Sequence, residues 1–164
     1  MKRSLAAVLA ADVAGYSELL GRDTEGTLNA LRHIRSEILK PTVASRRGRV
    51  VKSMGDGWIV LFKAASDAAA CALQIQDLLA KEFSTSGKLP MQMRLGLHVG
   101  DVVEEEEDVF GDGVNVAARL EQIAAPAISR FQMRFSGLWS GRCALLSTTR
   151  VSLNLRISPN RYAS

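Results

Sequence analysis

The sequence predicts an α+β domain built on a ferredoxin-like (palm-like) βαββαβ sheet with its helices on one face. Three observations carry that prediction. Short apolar runs alternate with longer stretches of helical periodicity. Two β-rich runs are separated only by Gly55-Asp56-Gly57, a hairpin signal. The resulting order, strand-helix-strand-strand-helix-strand, is the split βαβ pattern. At 164 residues the chain suits one main domain by the usual ~100–200 residues per domain.

The first apolar run, residues 5–11, reads as a central strand covered on both faces. Met1-Lys2-Arg3 gives this start the charge of a secretory signal, but Asp12 follows directly, and a buried first strand is the better reading. Asp12-Val13-Ala14-Gly15-Tyr16-Ser17 then leaves the strand as a loop of mostly small residues. Leu28, Leu31, Ile34, Ile38 and Leu39 recur at helical spacing, with Thr24 as the expected cap and Pro41 as the expected end. Residues 49–54 and 58–62 form the hairpin. Ser66-Asp67 starts a second amphipathic helix reaching about Phe83, with Ala70, Leu73, Ile75, Leu78 and Leu79 as its apolar set. Residues 91–99 and Val102-Val103 read as two strands turning at Gly100-Asp101, and residues 104–108 as a solvated acidic hairpin tip. Gly111-Asp112-Gly113 precedes a last helix carrying Val114, Val116, Leu120 and Ile123.

Composition narrows the function classes. Hydrophobic residues are 47% and charged residues 23%, a globular balance rather than a disordered one. No apolar run approaches the ~20 residues of a membrane span. Two cysteines, Cys71 and Cys143, make no disulfide framework, so a reducing, cytoplasmic setting is expected. The net charge of +4 is unevenly placed: residues 1–126 hold 15 Lys/Arg against all 17 Asp/Glu, whereas residues 127–164 hold six Arg and no acid. The main body is therefore slightly acidic, and no nucleic-acid partner is expected.

In the βαββαβ topology strands one and two run parallel, so Asp12 at the end of the first and Asp56 in the turn after the second share an edge. Alone, Asp12 is a strand-end turn residue and Asp56 ordinary Asp-Gly hairpin chemistry. Together they suit hard, oxygen-loving cations such as Mg²⁺ or Mn²⁺, which in pairs stabilise the attacking and leaving oxygens of phosphoryl transfer. Lys52 lies four residues before Asp56, where a strand lysine ordinarily faces solvent. Asn115 and Arg119, spaced i,i+4, project from one helix face, ordinarily as a polar surface pair. Residue types and spacing stop at a metal-capable palm-like domain with no named substrate.

Four stretches together resemble the catalytic domain of class III adenylate/guanylate cyclases, chiefly the bacterial adenylate cyclases. They are residues 9–17 (LAADVAGYS), 51–57 (VKSMGDG), 94–100 (RLGLHVG) and 108–121 (DVFGDGVNVAARLE), in the family's order. The resemblance covers residues 1 to about 126 and implies the nucleotide cyclase fold. It implies that Asp12 and Asp56 bind two divalent cations, Mg²⁺ or Mn²⁺, and that the loop 13–17 offers backbone N–H groups to phosphate. It assigns Lys52 and Asp108 to purine selection: Lys donates to adenine N1 and Asp accepts from the N6 amino group, both mismatched by guanine. It implies that Asn115 orients the ribose and that Arg119 stabilises charge on the α-phosphate. ATP is the implied substrate, 3′,5′-cyclic AMP and pyrophosphate the products. In this family the metal aspartates and the other four residues come from different protomers, which implies a homodimer with two composite sites. His33 and His98 match no catalytic role, and Asp112 is unassigned.

Other readings weigh less. An inactive relative retained for dimerisation or nucleotide sensing would not need all six matched residues, although its deficit can lie in the tail. A diguanylate-cyclase-like enzyme would carry a Gly-Gly-acid-acid-Phe-like hairpin where this chain has Met54-Gly55-Asp56-Gly57-Trp58. A phosphoreceiver domain with Asp56 as acceptor would not place that residue in a tight hairpin.

Residues 127–164 break with everything before them. The family resemblance implies a Gly-rich turn, an Ile-x-Ile-Ser strand, a helix and a final hairpin after Pro126. The chain instead has an Arg/Ser-rich tail without Asp, Glu or Lys. A shifted reading frame accounts for this: one codon set for residues 126–132, read one base earlier from the last base of the proline codon, encodes Gly-Asp-Ile-Ala-Ile-Ser. The catalytic domain, residues 1–126, is then incomplete at its C-terminal end, the tail is expected to pack poorly, and the chain as given is expected to be unstable or weakly active.

Overall fold

Two long neighbouring strands organise the molecule, the first of them buried without a break from Ala6 to Ala11. The computed structural model describes residues 2–86, 91–105, 108–124 and 133–136. The strands are β1 (Lys2–Val13), β2 (Arg49–Met54), β3 (Gly57–Phe62), β4 (Met93–Glu105), β5 (Asp108–Phe110) and β6 (Met133–Ser136). The helices are α1 (Tyr16–Arg22), α2 (Thr24–His33), a π-helical turn (Ile34–Leu39), α3 (Lys40–Ser45), α4 (Ala65–Ser86) and α5 (Asp112–Gln122). Strand order is β2-β3-β1-β4-β5, with β6 parallel to β4.

The βαββαβ unit is present as expected. Its interstrand helices share one face, where Leu9, Trp58 and Leu95 from the sheet meet Ile34, Cys71 and Ile75 from the helices. Burial pushes the Cys71 thiol up to about 12, so it is an inert packing group. The opposite face carries α5, whose Ala117 packs with Val8, Ala10, Ile59 and Val102. Both faces of β1 are thus covered, which is why its run of apolar residues is nearly continuous.

Strand β3 pairs antiparallel with both β1 and β2, so β1 and β2 point the same way with β3 between them. Asp12 sits directly opposite Gly57, the residue after Asp56, and the shared edge predicted from topology is real. Gly55, at φ 61°, supplies the left-handed turn residue of that hairpin.

Four local expectations are corrected. The cap of α2 is Asp23, whose carboxylate accepts from the Gly26 N–H at 2.9 Å, and Thr24 is the first helical residue. Pro41 does not end the helix. The π-helical turn before it bonds the Lys40 N–H to the Arg35 carbonyl, five residues back, and this wider turn accommodates a ring that clashes in a regular helix. The small-residue loop is short, because α1 begins at Tyr16.

The last correction concerns Gly100-Asp101, which is no turn. β4 runs straight through it, with Gly100 opposite Ala6 and Asp101 opposite Leu5. Glycine is needed there for packing: a Cβ on Gly100 would lie 3.2 Å from the Gly113 Cα, and one on Gly96 would lie 2.3 Å from the Ala117 carbonyl oxygen and Glu121 nitrogen. These two glycines let α5 lie directly on β4.

Of the tail, Met133–Ser136 forms β6 beside residues 95–98 of β4. The rest of residues 127–164, with Cys143, lies outside the described residues, as do residues 106 and 107 of the acidic tip.

Candidate active site

The carboxylate corner is assembled from four elements. Asp12 comes from the end of β1, Asp56 from the β2–β3 turn, Arg94 from the start of β4 opposite Asp12, and Glu121 from the last turn of α5. Arg94 grips Asp12 with a two-pronged contact, Nε to Oδ1 at 3.0 Å and a terminal nitrogen to Oδ2 at 2.6 Å. Its Nε also lies 3.2 Å from Glu121 Oε1, an ion-pair distance without hydrogen-bond alignment, since that N–H points at Asp12. A charge-assisted pair of the Arg94–Asp12 kind is worth about 1.5–3 kcal/mol.

The electrostatics follow from crowding. Asp56 titrates above the ordinary aspartate range because it is removed from water and faces the Asp12 charge, against the opposing pull of its own and Val13's backbone N–H groups and of Arg94. Burial beside Asp12 raises Glu121 further, to about 8. The Asp12 hydrogen bond holds Arg94 more firmly protonated than a free guanidinium. Val13, the last residue of β1, thus has its backbone N–H beside Asp56.

Lys52 and Asp108 meet at a second corner. β2 and β5 stand at opposite ends of the strand order, yet the twisted sheet carries one over the other. The Lys52 ammonium donates to both Asp108 oxygens at 2.9 Å and lies 5.9 Å from the Phe110 ring centroid. The lysine bond, aided by the Val109 N–H, lowers the Asp108 pKa. The acidic tip thus contributes one residue to a specific pair.

Asn115 and Arg119 join neither corner. The buried stripe of α5 is Gly113, Ala117 and Glu121. Asn115 and Arg119 lie two residues either side of Ala117, about 200° around a helix of 3.6 residues per turn, and both are exposed. The same helix presents Glu121 to this chain's carboxylates and these two side chains to solvent. His33 pairs with Glu82 at 3.0 Å on the helical surface, and His98 is a half-buried β4 residue opposite Val8.

Arg94 and Glu121 carry no role in the sequence reading. The signals for them are the cross-strand register with Asp12 and the i, i+4, i+8 stripe that ends on Glu121, and both depend on the placement of α5 over Gly96.

Among the described residues no group of three or more His, Cys, Asp or Glu side chains is arranged to hold a metal. The Asp12–Asp56 pair nevertheless fits a divalent cation of the Mg²⁺ type. Such ions keep several waters and bind through one or two carboxylates plus substrate phosphates. No described helix is long and apolar enough to cross a membrane.

Comparison with known proteins agrees with this architecture. The family profile described as the adenylate and guanylate cyclase catalytic domain matches residues 2–131. A putative adenylate cyclase 3 of Rhizobium meliloti is 43% identical over 130 residues, 77% of this chain and 22% of that protein. An adenylate cyclase of Streptomyces coelicolor is 37% identical over 114 residues, 70% of this chain and 29% of that protein. The chain therefore spans under a third of the length of these two relatives. The crystal structure of an adenylate/guanylate cyclase/hydrolase from Silicibacter pomeroyi is 44% identical and superposes with a TM-score of 0.68, covering 77% of this chain and 73% of that one. The structure of the guanylyl cyclase Cya2 is 25% identical with a TM-score of 0.65, covering 76% and 73% of the two chains.

Proposed function

The chain belongs to the adenylate and guanylate cyclase catalytic domain family, and on that premise we propose that it is an adenylate cyclase acting as a homodimer. The reaction joins the ribose 3′ oxygen of ATP to the α-phosphorus. The bond from that phosphorus to the bridging oxygen breaks, pyrophosphate leaves, and the 3′-hydroxyl proton is lost. Divalent ions, when bound, lower the pKa of the 3′-hydroxyl and neutralise triphosphate charge. Asp12 and Asp56 are the residues that would hold them.

The observation that carries the ATP assignment is the Lys52–Asp108 pair. Donor and acceptor already face one another at 2.9 Å, a pre-oriented set complementary to adenine N1 and N6. Guanine would oppose donor to donor and acceptor to acceptor, a strongly discriminating mismatch. Relatives named for adenylate and for guanylyl activity share this fold, so the purine choice rests on these two residues. Asn115 orients the ribose, and Arg119 stabilises charge developing on the α-phosphate.

The dimer assignment is supported by α5. Its stripe commits Glu121 to the carboxylates of the same chain, leaving Asn115 and Arg119 directed outward. A second copy related by a two-fold axis would bring those residues to the first copy's carboxylates and vice versa, giving two sites.

Incubating the full chain with ATP or GTP and Mn²⁺, with product separation by thin-layer chromatography, tests the proposal. Cyclic AMP formation with ATP strongly preferred is the expected result. Cyclic GMP as main product would overturn the purine assignment, and nucleotide binding without turnover would make the chain a sensor rather than an enzyme.

A further inference from the structure

The side chain that most occupies the carboxylate corner is Arg94. Its fork engages both oxygens of Asp12. Those two oxygens are also what Asp12 has to offer a divalent cation, so guanidinium and cation compete for one group. Arg94 is 28% exposed and held between two acids, of which Glu121 is only 10% exposed. When Arg94 releases an Asp12 oxygen, a second carboxyl oxygen, Oε1 of Glu121, already stands 3.2 Å from its Nε.

We propose that Arg94 is a built-in counter-ion of the cation site, poised between Asp12 and Glu121, and that Glu121 is the positioning residue which receives it when a divalent cation takes Asp12. This rests on Asp12 being a cation ligand, the reading given above. Asp12, Asp56 and Glu121 crowd this corner beside one guanidinium, so without a cation Arg94 offsets the Asp12 charge and lessens repulsion within the group. Once the cation supplies positive charge, Arg94 is needed less at Asp12 and can turn wholly to Glu121. Leaving it without an acceptor in a half-buried site would instead incur the penalty of an unpaired polar group. Close packing of α5 on Gly96 holds Glu121 within reach, because any side chain at residue 96 would push the helix backbone away.

The test is Mn²⁺ binding to the full chain without nucleotide, followed by electron paramagnetic resonance of free Mn²⁺. Arg94→Gln should bind Mn²⁺ about tenfold more tightly, the change expected on removing a charge-assisted two-pronged competitor. Arg94→Lys, which keeps the charge but loses the fork, should fall between wild type and Arg94→Gln. Glu121→Gln should weaken binding severalfold. In the Arg94→Gln background, Glu121→Gln should have less than about a twofold effect, because its role runs through Arg94. Thermal melts give a second readout: without metal Arg94→Gln melts below wild type, and saturating Mn²⁺ narrows the gap. Unchanged or weaker Mn²⁺ binding by both Arg94 variants would overturn the counter-ion role. Equal effects of Glu121→Gln in both backgrounds would overturn the receiver role, leaving a simple charge effect. Wild-type binding that survives both Asp12→Asn and Asp56→Asn would remove the carboxylate site itself, and this inference with it.

Discussion

The carboxylate corner and the Lys52–Asp108 corner are built by opposite strategies. At the first, β1, β4, the β2–β3 turn and α5 converge, Asp12 is 21% exposed, and each group lies within electrostatic reach of at least two others. At the second, one strand-borne ion pair stands at 35% and 36% exposure, with a single aromatic ring beside it. The first is over-determined within one chain. The second is half open, its polar groups spending their hydrogen bonds on each other, as suits a surface that a nucleotide base or a second protomer completes. A group that must resist like-charge repulsion needs many supports, whereas one that must exchange its partner for a base works better with few.

Substitutions at the two corners should therefore differ in kind. The largest effect is expected at the first: Asp12→Ala or Asp56→Ala should lower kcat by at least about 10²–10³-fold, the range for losing a preorganised electrostatic group. Circular dichroism should show the fold retained, since both residues sit at a strand end or in a turn. At the second corner, Lys52→Glu combined with Asp108→Cys should leave turnover possible but shift the ATP/GTP ratio of kcat/KM by about tenfold or more towards GTP. An unchanged ratio would remove the pair from purine selection.

Stability should divide in the same way. Gly96→Ala places a methyl 2.3 Å from two backbone atoms of α5, which cannot rotate aside. Overpacking of this sort costs about 1–3 kcal/mol, measurable by urea unfolding, and it should disturb Asp12 more than Lys52, because Glu121 rides on that helix. The smallest effect is the pH dependence of the Lys52–Asp108 pair. The folded pKa of Asp108 lies below its ordinary value of 3.8, so the stability it contributes is complete above that value and is lost as pH falls through the lower folded one. A carboxyl carbon NMR titration should find Asp108 below 3.8, and Lys52→Met should return it towards that value.

What the sequence made legible follows the same divide. The alternating elements, the shared edge of Asp12 and Asp56, and the order of the motifs were readable because each depends on local periodicity or turn chemistry. Arg94 and Glu121 were not, because their meaning lies in register and in how closely a helix approaches a strand. Gly100-Asp101 shows why: a glycine-aspartate pair reads as a turn until a helix is known to press on that glycine. Pro41 misleads similarly, since a widened π turn is invisible to residue counting. The frameshift expectation for residues 127–164 is a proposal about the gene, checked by sequencing across the Pro126 codon. An uninterrupted frame there would make residues 127–164 a genuine part of the encoded protein.

The central claim, that the carboxylates of one chain work with Asn115 and Arg119 of another, is tested most directly by complementation. Asp56→Ala and Arg119→Ala, each inactive alone, would be mixed under conditions that exchange subunits, with heterodimers verified by affinity-tag pull-down. Random pairing gives half heterodimers, each with one intact site of two, so about a quarter of wild-type cyclase activity should return. Verified heterodimers with no activity above the separate mutants would contradict the composite site.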